Sequence, residues 1–173
     1  AGRRANRTIT DALYDEIVAA ARQPVLYSGF LVPDTPLGRF EMVSLHMFLV
    51  LHRLRDGPAA AREIAQDITD EFFKDVDHSL RELGIGDQGV PRRMKKLGRM
   101  FYGRAVAYGR AIDEGDRESL AAALRRNVRP DAEAWPEAEA LAAYAMATWA
   151  DLREQPTEAL VAGRLRFLRA GAA

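Results

Sequence analysis

The 173-residue chain contains no cysteine. That excludes disulfide frameworks, Cys-ligated zinc or iron–sulfur centres and thiol nucleophiles, and it fits a reducing compartment. Net charge is also absent, with 25 basic residues balancing 25 acidic ones. No global field therefore draws the chain to a polyanion, and any electrostatic function must be local. There is no long hydrophobic run. The most apolar stretch, "MVSLHMFLVL" at 42–51, is interrupted by His46 and is about half of what a membrane-spanning helix needs. It reads as a buried helix. Arg3, Arg4 and Arg7 have no apolar segment behind them, so no secretory signal is expected.

Enzymatic signatures are missing too. There is no G-K-[ST] phosphate loop and no serine in a nucleophile elbow. Of the three histidines, His46 and His52 are six apart on different faces of one helix and cannot share a metal. His46 sits in the most apolar segment, where a neighbour-bonded core histidine is the expected role. Asp75-x-x-His78 has the spacing of a helical carboxylate–imidazole pair, but helical di-metal sites need two such motifs and further carboxylates. The residues give no catalytic group, metal site or cofactor.

What is present is helical periodicity. Hydrophobic residues make up 48% and charged residues 29% of the chain, the balance of a folded globular protein rather than a disordered one. Apolar residues recur at three and four throughout, which predicts one all-α domain, an irregular bundle of about seven helices spanning 1–173. Residues 1–9 are expected as a flexible tail. Thr10 is expected to cap a first helix with Leu13 and Ile17 on its buried face. "VPDTPLG" (32–38) must be a loop. Residues 39–55 are apolar nearly all round and belong at the centre of the bundle. Ile64, Ile68, Phe72, Val76 and Leu80 form a stripe that runs through Leu83 to Gly84, a natural left-handed cap. A long helix follows from Pro91 to about Glu114, then one capped by Asp116, then an Ala-rich helix carrying Leu141 and Tyr144. A last helix from Thr157 should carry Leu160, Val161, Leu165 and Leu168, and residues 129–173 complete the bundle.

"GIGDQG" at 84–89 satisfies G-x-G-x-x-G. The dinucleotide loop works because a strand delivers its first glycine and a helix N-terminus receives the pyrophosphate. Here a helix delivers Gly84 and no βαβ unit exists, so the motif reads as a tight inter-helix turn whose glycines supply positive φ at both ends. The helix it feeds has Arg92, Arg93, Lys95, Lys96, Arg99, Arg104 and Arg110 and no acid between 91 and 110, whereas 60–90 holds eight acids against three bases. Two outcomes stand open. The acidic and basic helices pair and neutralise each other, or the basic face stays free for a partner. Gly98, Gly103 and Gly109 cost about 1 kcal/mol each in a helix interior, and the sequence suggests that they admit close helix packing.

"VPDTPLGRFEMVSLHMFLVLHRLR" followed by "FFKDVDHSLRELGIGDQGVPRRMKKLGRMFYGRAVAY" resembles the ubiquinol–cytochrome c chaperone family over about 10–128, with "LAAALRRNV" (120–128) a further family-like element. The resemblance implies a non-enzymatic assembly factor, with newly made cytochrome b or another membrane client as its partner. It also implies a small partner subunit or ribosome contact by analogy, and no role for DNA. The expected location is cytoplasmic and peripheral at the inner face of the membrane if bacterial, mitochondrial if eukaryotic. Physically, such a role needs an apolar groove with a charged rim. The groove is expected where the glycine-bearing helix meets residues 39–55, with Arg92, Arg93, Lys95, Lys96, Arg99 and Tyr102 as partner contacts and Asp87 fixing the turn that aims them. Two alternatives stay open. One is an RNA- or ribosome-binding module using 91–110, with Tyr102 free to stack and Phe101 and Tyr108 in the core. The other is a carrier of a quinone- or lipid-like ligand lined by Met42, Met47, Phe48 and Met100.

Overall fold

A computed structural model describes the backbone of residues 2–171 and the side chains of residues 6–171. Eight helices follow one another: α1 (Gly2–Ala21), α2 (Pro24–Ser28), α3 (Pro36–Leu54), α4 (Ala59–Glu82), α5 (Val90–Asp113), α6 (Arg117–Val128), α7 (Ala138–Glu154) and α8 (Thr157–Val161). No strand occurs among the described residues. Six of these helices are long and two are single-turn pieces, so the all-α expectation holds.

Helix α3 is the axis of the bundle and packs against α1, α4, α5, α6 and α7. Its sequence explains the position: Met42, Leu45, Met47, Phe48, Leu49 and Val50 point in several directions and all are buried. Its start is built from the VPDTPLG loop. The Thr35 hydroxyl accepts from the Gly38 N–H at 3.1 Å, and Pro36 stands in the first turn, where its missing donor costs nothing. Gly38 is obligatory, because a Cβ there would lie 1.7 Å from the Pro33 carbonyl oxygen.

Helices α4 and α5 form a hairpin. Gly84 adopts φ +82°, and the Ile85 and Gly84 N–H groups donate to the carbonyls of Leu80 and Arg81, the paired bonds of a left-handed helix cap. Gly86 and Gly89 do not share that conformation. Only the first glycine of the triplet is needed for its φ, which corrects the expectation of positive φ at both ends.

Three other expectations fail. The chain is helical from Gly2, so residues 2–9 are not a separate tail, and Thr10 is buried within α1 rather than capping it. The last helix stops at Val161, because Gly163 at φ +86° lets Arg164 N–H bond back to the Ala159 carbonyl. Leu165 and Leu168 therefore pack from a non-helical strap. Gln155 holds that strap, accepting from the Arg166 N–H and donating to the Arg166 carbonyl.

Candidate client-binding cleft and cationic edge

The first halves of α3 and α5, the second half of α4 and the end of α1 do not close on one another. Between them lies a cleft of about 790 Å³. Its wall is apolar, with Val18, Phe40, Val43, Phe72, Val76, Leu80, Leu97 and Met100 among its lining. At its mouth stand two leucines that burial does not explain: Leu37 is 60% exposed and Leu83 58% exposed. This is the α3–α5 groove expected from the sequence, widened by α1 and α4.

Beside it, between α3 and α5, lies a pair that sequence reading missed. Arg104 donates Nε and Nη2 to the two carboxylate oxygens of Glu41 at 2.6 and 2.7 Å, and a third N–H to the Met100 carbonyl. Both side chains are largely buried. Burial raises the Glu41 pKa, opposed by the Arg104 bonds. The signal was available. Glu41 is the only acid in the apolar run 39–55, and a lone acid in such a helix demands a buried cation. Arg104 thus leaves the set of free bases and fastens α5 to α3.

The remaining bases stay unpaired. Among the described residues no carboxylate pairs with Arg92, Arg93, Lys95, Lys96 or Arg99, and all five are exposed. No acid of α4 pairs with a base of α5 among the described residues, and several have partners elsewhere. Asp75 accepts from the Tyr14 hydroxyl at 2.8 Å, Asp77 pairs with Arg81, and Glu82 pairs with His78. Helices α4 and α5 do pack together, through Phe72, Phe73 and Phe101, but their charged rims do not neutralise each other. Asp87 pairs with Arg81 across the turn between α4 and α5.

The structure divides the expected contact residues into two groups. Arg93 and Lys96 line the cleft. Arg92, Lys95, Arg99 and Tyr102 look outward, and Tyr102 is 56% exposed with its ring 6.2 Å from that of Phe73.

The glycines divide as well. A Cβ on Gly109 would meet His52 at 3.3 Å and Phe48 at 3.6 Å, so this residue does bring α5 against α3. Gly98 has only an ordinary contact with Phe73 in prospect, at 3.9 Å, and Gly103 faces open space. Neither is a close-packing position, because α4 leaves room for a Cβ at Gly98 and nothing lies within 4 Å of one at Gly103. The methionine lining expected for an apolar carrier is also corrected. Met42, Met47 and Phe48 are core residues, and only Met100 reaches the cleft.

His46 has the core role expected of it. Its Nδ1 bonds the Met42 carbonyl at 2.7 Å and its Nε2 the Tyr144 hydroxyl at 2.8 Å. Complete burial lowers its pKa to about 4. Among the described residues no group of three or more His, Asp or Glu side chains is placed to hold a metal, and no helix is long and apolar enough to cross a membrane.

The sequence matches the ubiquinol-cytochrome C chaperone family over residues 28–167, beginning later and reaching further toward the C-terminus than the resemblance over 10–128. A crystal structure of the Cbp3 homolog from Brucella abortus is similar at a TM-score of 0.92, with 58% sequence identity, covering 98% of this chain and 93% of that one. Ubiquinol-cytochrome-c reductase complex assembly factor 1 from Xenopus laevis is 29% identical over 97 residues, 56% of this chain. The chain spans about half the length of that relative, 48%.

Proposed function

Because the chain belongs to the ubiquinol–cytochrome c chaperone family, we propose that it is a non-enzymatic assembly factor. Its client is newly made cytochrome b, or another membrane protein, during biogenesis of ubiquinol–cytochrome c reductase. The observation that carries this reading is the open apolar cleft with exposed leucines at its mouth and unpaired cations along one wall. A membrane segment awaiting assembly needs its apolar side covered, and the cleft offers aliphatic and aromatic surface, with Asp75, Glu82, Arg22 and Arg39 also on its lining. Arg93 and Lys96 at the wall hold a client carboxylate or a helix C-terminal end, where the backbone dipole is negative. The full contact set is Arg92, Arg93, Lys95, Lys96, Arg99 and Tyr102, with Asp87 anchoring the turn. A small partner subunit or the ribosome would meet the same edge. Work on such a client puts the protein at the membrane surface as a peripheral component. No cofactor takes part.

The test is a tagged pull-down from membranes of actively respiring cells, with and without crosslinking, probed for unassembled cytochrome b. Wild type is compared with R92E/K95E/K96E/R99E and with L37E/L83E. Recovery by wild type and loss by both variants, each retaining native helicity, is the expected result. If wild type recovers no cytochrome b even with crosslinking, the client assignment is wrong. If the charge variant unfolds, those residues are structural and the edge is not a contact surface.

A further inference from the structure

Helix α5 has a second exposed face that the cleft does not use. Positions 92, 95, 99, 102, 103, 106 and 110 fall on one side of it at about 100° per residue. All seven are exposed. From end to end this face spans roughly 27 Å at the helical rise. It begins with Arg92, Lys95 and Arg99, for which no ion-pair partner exists among the described residues. It continues into Tyr102 and Val106, the latter 72% exposed, the most exposed large apolar side chain of the protein. Between them Gly103 contributes no side chain and has nothing near it. The surface is the outside of a helix, convex across. No groove receives a partner segment there.

We propose that this outer face of α5 docks on an anionic lipid bilayer, with Arg92, Lys95 and Arg99 at the phosphate level and Tyr102 and Val106 entering the headgroup region. Charge complementarity fixes the sign of the surface, since each cation near an anionic leaflet strengthens binding about fivefold and the effect decays within a Debye length. The apolar pair favours a bilayer over RNA. A tyrosine suits the interface between water and acyl chains, and an aliphatic valine has no stacking role on a nucleobase. One free aromatic is fewer than stacking along a strand employs. The geometry then places the mouth of the cleft beside the membrane plane, because Arg93 and Lys96, which line it, are neighbours of the docking cations on the same helix. This deepens the peripheral placement proposed above and rests on that reading only for its purpose, not for its chemistry.

The experiment is co-sedimentation of the purified protein with vesicles of phosphatidylcholine alone, or with one third phosphatidylglycerol, in the absence of any client. Wild type is expected to bind the anionic vesicles at least tenfold more tightly, and to lose that advantage as salt rises from about 0.1 M to about 0.5 M. R92E/K95E/R99E should weaken binding by at least about a hundredfold, from the loss of about fivefold per cation, with added repulsion from three glutamates. Y102S/V106S should weaken it several-fold with the salt dependence unchanged. Thermal melting checks that both variants are folded. No preference for anionic vesicles, or a folded triple variant that binds like wild type, overturns the proposal. A single-stranded oligoribonucleotide bound as tightly as the anionic vesicles at equal salt reassigns the face to nucleic acid. The L37E/L83E arm of the cytochrome b pull-down leaves this face untouched, so the client reading and this proposal can fail separately.

Discussion

Two sides of the same bundle treat their polar and apolar groups in opposite ways. Where α1, α3, α7 and the C-terminal strap meet, polar groups are bonded to one another across elements distant in sequence. His46 bonds Tyr144, Tyr144 accepts from Gln23, and Gln23 accepts from the Ala170 N–H. Arg53 at the end of α3 donates to the Leu152 and Gln155 carbonyls and to Thr157. On the other side, along the first half of α5, Arg92, Arg93, Lys95, Lys96 and Arg99 have no ion-pair partner among the described residues, and Leu37, Leu83, Tyr102 and Val106 remain in water. A bundle that needed only to be stable would close both sides alike. The contrast implies that one side supplies rigidity and the other is kept incomplete for something outside the chain.

The seam between the two sides is the Glu41–Arg104 pair, and breaking it should have the largest effect. Arg104→Met leaves a carboxylate buried without its cation, a loss of about 3–5 kcal/mol in unfolding free energy at pH 8. The sign with pH follows from the raised Glu41 pKa. A group whose folded pKa lies above its unfolded value favours the native state below the unfolded pKa. That advantage fades as pH climbs through the folded value. The deficit of Arg104→Met should therefore be smaller at pH 5 than at pH 8, since Glu41 can take up a proton. Urea titrations at both values measure this, and adding Glu41→Leu should restore most of the loss at pH 8. A deficit that is independent of pH would mean that the carboxylate is not buried in solution.

On the closed side, His46 is the sensitive point. Its pKa of about 4 lies below the ordinary value near 6.5, so protonation favours the unfolded chain. Stability from this group is fully present above about pH 6.5 and is lost as pH falls toward 4. Its share amounts to about 3 kcal/mol on the scale of 1.36 kcal/mol per pKa unit. His46→Gln should be less stable at pH 7 but should flatten the slope of unfolding free energy between pH 4 and 6.5. If the slope is unchanged, another group sets the acid limit.

The sequence disclosed most of the closed side and little of the open one, for physical reasons. Periodicity located α3 through α7 because each buries a stripe, and Gly84 marked the hairpin because only a left-handed residue ends α4 that way. The start of α1 was hidden because residues 2–9 carry no apolar stripe to reveal a helix. The end of α8 was misjudged because Leu165 and Leu168 keep helical spacing beyond Gly163. For the site, charge bias identified the α5 edge, but one dimension cannot tell a base that pairs across the bundle from one that does not. Arg104 and Arg99 look alike in the sequence. Only the fold sends one to Glu41 and the other to solvent.

Two glycines of α5 sharpen the comparison at a smaller scale. Gly109 belongs to the packed side and Gly103 to the exposed one. Alanine at either position gains helix propensity worth about 1 kcal/mol. At 109 the added methyl must displace His52, which is held by Asp113 at 2.8 Å and by its ring contacts with Phe48 and Trp149. Overpacking of about 1–3 kcal/mol should outweigh the gain there. Gly103→Ala should raise the melting temperature and Gly109→Ala should lower it. Equal shifts in the same direction would remove the distinction between the two faces.

The smallest effect on stability is expected at the mouth of the cleft, and its smallness is the point. Leu37 and Leu83 are more than half exposed, so replacing both by serine removes little buried surface. Unfolding free energy should change by no more than about 0.5 kcal/mol, and solubility should improve because an apolar patch is lost. Leucines kept in water by a stable domain are expected where binding covers them. The same double variant should therefore lose recovery of client in the membrane pull-down while its urea midpoint stays in place. A double variant that retains client but unfolds more easily would show that these leucines serve the fold, and the cleft would then lose its claim to be the open side's purpose.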